Sequence, residues 1–130
     1  MSDSGITLIS GAGLPKPAGP YSPATRVGNL VFVSGQVGVD PQTGVAPEGV
    51  EAQTEQVLKN IAAILEAAGS GLDRVVRCGV FVADMDEFGK MNAVYERMFA
   101  GHKPARSTIQ PERLPGSGFL VEIDAIAVAD

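Results

Sequence analysis

Hydrophobic and polar positions along this chain recur with two periods, and the switches between them divide it into elements. "GITLIS" (5–10) is a short apolar run and a strand candidate. "ATRVGNLVFVSG" (24–35) reads as a hairpin, with Gly28 and Asn29 as its two-residue turn and Leu30 to Ser34 as the return strand. "DPQTG" (40–44) is a turn with Pro at its second position. The period then changes. In "EAQTEQVLKNIAAILEAAG" (51–69), Val57, Leu58, Ile61, Ile64, Leu65 and Ala68 build one apolar stripe, which predicts a helix, and Gly69 is its left-handed stop. "DRVVRCGVFVAD" (73–84) returns to period two, with Val76, Cys78, Val80 and Val82 on one face and Val75, Arg77 and Phe81 on the other. "DMDEFGKMNAVYERMF" (84–99) is a second helix with the stripe Phe88, Met91, Tyr95, Met98 and Phe99, and Asp84 and Glu87 have capping-box spacing. Strands follow at 105–110 and about 119–128, joined by the turn-rich "ERLPGSG".

The order is β, β-hairpin, α, β, α, β, β. Two helices separated by a single strand suggest an α+β fold, a mixed sheet with both helices on one face. The length of 130 residues fits one domain, 1–130, with no internal linker. Such a chain buries about two-thirds of its unfolded surface and needs no covalent staple. A net charge of −5 without a basic stripe argues against a nucleic-acid surface. One cysteine makes no internal disulfide, which fits a reducing compartment. "MSDSGITLISGAG" lacks the basic and apolar regions of a signal peptide, and no apolar run approaches the ~20 residues of a membrane span. The expected location is the cytoplasm.

Two charges stand out because they interrupt apolar runs: Arg106 in "HKPARSTIQ" (102–110) and Glu122 in "FLVEIDAIAV" (119–128). Charged groups are seldom buried without a partner. One reading is structural, an ion pair or two solvated strand faces, since alternation puts Arg106 with Thr108 and Gln110, and Glu122 with Asp124. The other is chemical. Arginine's planar fork suits a two-point grip on a carboxylate, and a glutamate nearby can move protons on and off water.

Other reactive residues are few. Cys78 and His102 are the only Cys and His, too few for a soft-metal site. Cys78 sits among strand residues as a small hydrophobe, and His102 follows Gly101 in a loop expected to be exposed. Ser34 lies in "VSGQVG", which is not a G-x-S-x-G elbow. "GAGLPKPAGPYSP" (11–23) is a Gly/Pro loop without the pattern of a phosphate loop. Its Tyr21 is a phenol in a rigid Pro-bounded loop, where the ring is expected to cap the core.

These segments together resemble the RidA/YjgF family of small imine and enamine deaminases. "GPYSPA" followed by "VFVSGQ" is similar to the family's N-terminal signature. "NIAAILEAAG" and "VFVADMDEFGKMNAVYERMF" are similar to its two helices and the strand between them. "KPARST" and "LVEIDAIA" are similar to its C-terminal signature, so the likeness runs from about Ile6 to Val128. It implies a six-stranded mixed sheet with two helices on one face, like one type of chorismate mutase. It also implies a homotrimer with clefts between subunits. The implied activity needs no cofactor: hydrolysis of 2-aminoacrylate/2-iminopropanoate or 2-iminobutanoate to a 2-oxo acid and ammonia. Alternatives are deamination of 3-aminoacrylate in pyrimidine degradation and a non-catalytic trimer that binds small carboxylates. By the same resemblance, Arg106 holds the substrate carboxylate and Glu122 activates water. Tyr21, Ser34, Gly35 and Asn92 line the cleft. Two features depart from some members. The loop before "PARS" is short, and Thr108 stands where some deaminases have a pocket cysteine.

Overall fold

The structure, a computed structural model, describes residues 4–130. Six strands form one sheet: β1 (Ile6–Ile9), β2 (Ala24–Val27), β3 (Leu30–Val37), β4 (Val75–Val82), β5 (Ala105–Ile109) and β6 (Val121–Val128). Helix α1 (Val50–Ala67) joins β3 to β4, and helix α2 (Phe88–Phe99) joins β4 to β5. The sheet order is β1-β2-β3-β6-β4-β5. Only the β4–β5 pair, which α2 connects, is parallel. That is the expected mixed sheet, since a parallel pair needs a crossover and the hairpin does not. No helix of the described residues is long and apolar enough to cross a membrane.

The apolar stripe of α1 does what its period implies. Val57, Leu58, Ile61, Ile64 and Leu65 are fully buried and meet Val31, Val80, Val121 and Ile123 of the sheet. Each such side chain contributes about 1.5–3 kcal/mol by leaving water. Gly69 has φ 82°, and the Ser70 amide donates to the Leu65 carbonyl at 2.8 Å while the Gly69 amide donates to Glu66 at 3.1 Å. These two bonds complete the left-handed stop. The hairpin turn also forms, with Val27 opposite Leu30 and a positive φ of 59° at Gly28, the first turn position, as a type II′ turn requires.

Four local expectations need correction. β3 does not end at Ser34 but continues to Val37, because its register against β6 slips between Val33 and Gln36. Ser34 and Gly35 form a β-bulge in mid-strand. β4 has a second slip, between Val75 and Arg77. It turns Val75 into the core and leaves Val76 48% exposed, off the face it was expected to share with Cys78. Asp84 caps a short 3-10 turn (Met85–Glu87), its Oδ1 accepting from the Asp86 amide at 2.9 Å. Glu87 pairs with Lys90 at 3.6 Å rather than closing a capping box. His102 is half-buried, and its Nε2 lies 2.7 Å from the Val75 carbonyl, where it anchors the bulged start of β4.

The sheet face away from the helices is open and carries large apolar side chains. Ile6, Leu8, Val27, Leu30, Phe32 and Ile109 are all exposed. Five of these six, all but Ile109, lie on the neighbouring strands β1, β2 and β3.

Candidate active site

Glu122 belongs to the open face. In β6, Val121, Ile123, Ala125 and Ala127 point into the core, so Glu122 and Asp124 point the other way. The bulge at Ser34–Gly35 lies beside them. A Cβ on Gly35 would stand 3.0 Å from Glu122 Cδ and closer still to Oε2. Only glycine lets the carboxylate lie across β3 there. Gly79 does the same for Asp124, whose Oδ1 accepts from the Gly79 amide at 2.9 Å.

The loop before β2 closes over this point. Ser34 Oγ donates to the Ser22 carbonyl at 2.7 Å, which ties the loop to the bulge. Tyr21 is exposed, and its hydroxyl accepts from the Ala18 amide at 3.2 Å. The ring therefore does not cap the core as the sequence pattern suggests. Two hollows of about 400 and 480 Å³ share Tyr21, Gly35, Pro115 and Glu122. Burial raises Glu122 above its ordinary 4.5, and the neighbouring charge of Asp124 raises it further. A carboxylate with a raised pKa can take and return a proton nearer neutrality.

Arg106 is on the other side of the sheet. It pairs in register with Cys78, whose side chain is in the core under the helices. Its Nη1 donates to Asn92 Oδ1 at 2.8 Å, and its Cζ lies over the rings of Tyr95 and Phe88, 4.7 and 5.5 Å from their centroids. Thr108 shares that face, and its Oγ1 is buried with no hydrogen-bond partner. Burial also raises the Cys78 thiol, which suits a core residue and not a nucleophile. The candidate residues of one chain therefore fall into two groups on opposite faces of the sheet. One holds Glu122, Tyr21, Ser34 and Gly35, and the other holds Arg106, Asn92 and Thr108. The structural ion pair between Arg106 and Glu122 is not formed, because the two strands aim them at opposite faces.

The sequence reading misses four supports. Phe88 and Tyr95 read only as a helical core stripe, and their contact with Arg106 is a tertiary fact. Gln53 and Asn60, buried polar residues on α1, hold the loops around Glu122. Gln53 donates to the Pro47 and Gly118 carbonyls and accepts from the Leu120 amide. Asn60 donates to the Val39 carbonyl at 2.8 Å. Their spacing of seven residues at the border of the apolar stripe is the one signal that marks them.

The family described as endoribonuclease L-PSP matches residues 12–129. The chain belongs to this family, the RidA/YjgF family. A RutC family protein of Pyrococcus horikoshii is 50% identical over 114 residues, 87% of this chain and 90% of the relative. The 2-iminobutanoate/2-iminopropanoate deaminase of Mus musculus is 45% identical over 122 residues, 93% of this chain and 90% of that one. Among solved structures, E. coli TdcF with bound serine superposes with a TM-score of 0.89 at 38% identity, covering 95% of this chain and 99% of TdcF. The RidA/YjgF fold thus agrees with the sheet order and helix placement above.

Burial has a consequence for stability at Glu122. A carboxyl whose folded pKa is raised makes the folded state bind more protons, so its stability is greatest below the unfolded value and is lost as pH rises through the folded one. Glu122→Gln is therefore expected to raise the melting temperature at pH 7, with the gain shrinking as pH falls and gone below about 4.5, the ordinary value. Thermal scans in an Arg106→Ala background, across pH 4 to 8, check this. A variant less stable than its parent at pH 7 would overturn it.

Proposed function

We propose that this RidA/YjgF chain is a cofactor-independent deaminase of small 2-imino acids, working as a trimer in the cytoplasm. The observation that carries the reading is the half-buried Glu122 carboxylate laid across Gly35 in a cleft with Tyr21. Mid-identity relatives named as imine deaminases support it, and the serine held by TdcF is a small amino acid of the same size class. The opposite facing of Arg106 and Glu122 supports a cleft completed by a neighbouring subunit. The apolar open face supplies the surface on which copies would meet.

In this reading Arg106 grips the carboxylate of the iminium form, R–C(=NH2+)–COO−, and fixes C2. Glu122 accepts a proton from water as the oxygen's electron pair forms the C2–O bond and the C=N π pair moves to nitrogen. The product is a carbinolamine. Glu122 returns its proton to nitrogen, the C–N bond breaks, and ammonia leaves as the oxygen's electrons form the carbonyl. The remaining hydroxyl proton passes to ammonia. One water is consumed, and the products are a 2-oxo acid and ammonium. Tyr21 and Ser34 shape the wall, and Thr108 borders the Arg106 half.

A dehydratase that releases the imino acid, competing with semicarbazide as a trap, tests the proposal. Adding this protein should cut the trapped fraction for the three- and four-carbon imino acids, which should differ from each other by no more than about 200-fold, since one methylene is worth ~1–3 kcal/mol. Binding of the 2-oxo acid without acceleration would favour a carboxylate-binding module, and turnover of 3-aminoacrylate alone would replace the substrate. Ribonuclease activity, which the family description raises, has less support. The chain carries a net −5, and its one histidine ring is engaged with the Val75 carbonyl.

A further inference from the structure

We propose that Phe88, Asn92 and Tyr95 form a neutral clamp on α2 that sets the orientation of Arg106 and so its grip on a ligand carboxylate. The inference rests on the reading of Arg106 as the carboxylate-binding group. The three residues are spaced four and three apart, so they share one helical face. All three touch one guanidinium. Asn92 Oδ1 accepts from Nη1 at 2.8 Å, and the two rings lie under Cζ. Arg106 needs such support, because β5 is an edge strand with β4 as its only neighbour among the described residues.

The chemistry of the clamp matters as much as its position. Among the described residues Arg106 makes no ion pair. An aromatic face and an amide oxygen hold a guanidinium without neutralising it, so the full charge is kept for the ligand. The Asn92 bond uses Nη1 and leaves the Nε–Nη2 edge for a two-point grip. Asn92 is therefore a positioning residue with its oxygen committed to the arginine. Tyr95 offers its ring face to Arg106, while its buried hydroxyl lies beside Cys78 and Arg106 without a hydrogen bond of good geometry, and burial is the main cause that keeps the phenol neutral.

The test measures kcat and KM for the imino acid, the Kd of 2-oxobutanoate by calorimetry, and the melting temperature. Tyr95→Leu and Phe88→Leu should raise KM and Kd about 3- to 30-fold with kcat within about twofold, the span expected of a lost cation–π contact. Tyr95→Phe keeps the ring face and should restore both constants. Asn92→Asp keeps the shape but pairs a charge with Arg106, and should raise KM and Kd more than either leucine variant while leaving the fold intact. Asn92→Asp and Phe88→Leu carry the test if Tyr95→Leu does not fold. The clamp is wrong if the folded leucine variants bind 2-oxobutanoate like wild type while Arg106→Ala does not. It is equally wrong if kcat falls as KM rises, both in step with the loss of melting temperature, which is the mark of a merely structural role. If Arg106→Ala itself binds normally, the carboxylate-binding assignment fails, and the clamp with it.

Discussion

Arg106→Ala and Glu122→Gln proteins, each nearly inactive alone, should recover activity when their chains are assembled together. Separately, Arg106→Ala should lose roughly 2–5 kcal/mol of transition-state binding, mostly through a charge-assisted contact. Glu122→Gln keeps the shape of the site but cannot take a proton from water, so kcat should fall about 10²- to 10⁴-fold. The rescue follows from the faces of the sheet. Arg106 pairs with core-facing Cys78, whereas Glu122 alternates with core-facing Val121 and Ile123 and so faces outward. One chain cannot aim both at one substrate. If a cleft draws its arginine from one subunit and its glutamate from the next, random mixing of equal amounts leaves about one cleft in four with both groups intact. Co-expression with two affinity tags isolates the mixed oligomers, and in a trimer each of these has one intact cleft of three, so their rate should approach a third of wild type. Isolated mixed oligomers that remain inactive would show that each cleft takes both residues from one chain.

Much of this arrangement was legible in the sequence. The stripe from Val57 to Leu65, the Gly69 stop and the alternation in β6 are local patterns, and local patterns set local structure. The faces of Arg106 and Glu122 also followed from alternation within each strand. What a single strand cannot show is its register against another. The bulges at Ser34–Gly35 and Val75–Val76 exist only relative to β6, so the pattern within one strand ends β3 at Ser34 and puts Val76 on the wrong face. The same holds for Arg106. Whether it meets Glu122 or Asn92 depends on which side of the sheet α2 crosses, and a parallel β4–β5 pair joined by α2 puts Asn92 there. Phe88 and Tyr95 carried no distinguishing mark, because an aromatic residue in a helical stripe looks the same whether it covers a valine or a guanidinium.

Replacing Phe32 with aspartate should take the assembly apart and abolish turnover without unfolding the chain. Phe32 sits on the open sheet face between Thr25 of β2 and Ile126 of β6, and is 40% exposed in one chain. A carboxylate there stays solvated in the separated chain, so the core between sheet and helices should be undisturbed. In an assembly that buries the open face it would be desolvated without a partner, which costs several kcal/mol per copy. Light scattering should find wild type near three times the 13.4 kDa chain mass and the variant near one. Circular dichroism should be unchanged, and activity should be lost because Arg106 and Glu122 are parted. A dissociated Phe32→Asp chain with wild-type activity would mean that one subunit suffices, and an intact trimer would move the interface off this face. Loss of activity on dissociation joins the two halves of the argument: the apolar face and the divided site are then one feature, since the surface that holds the copies together is also what brings the arginine to the glutamate.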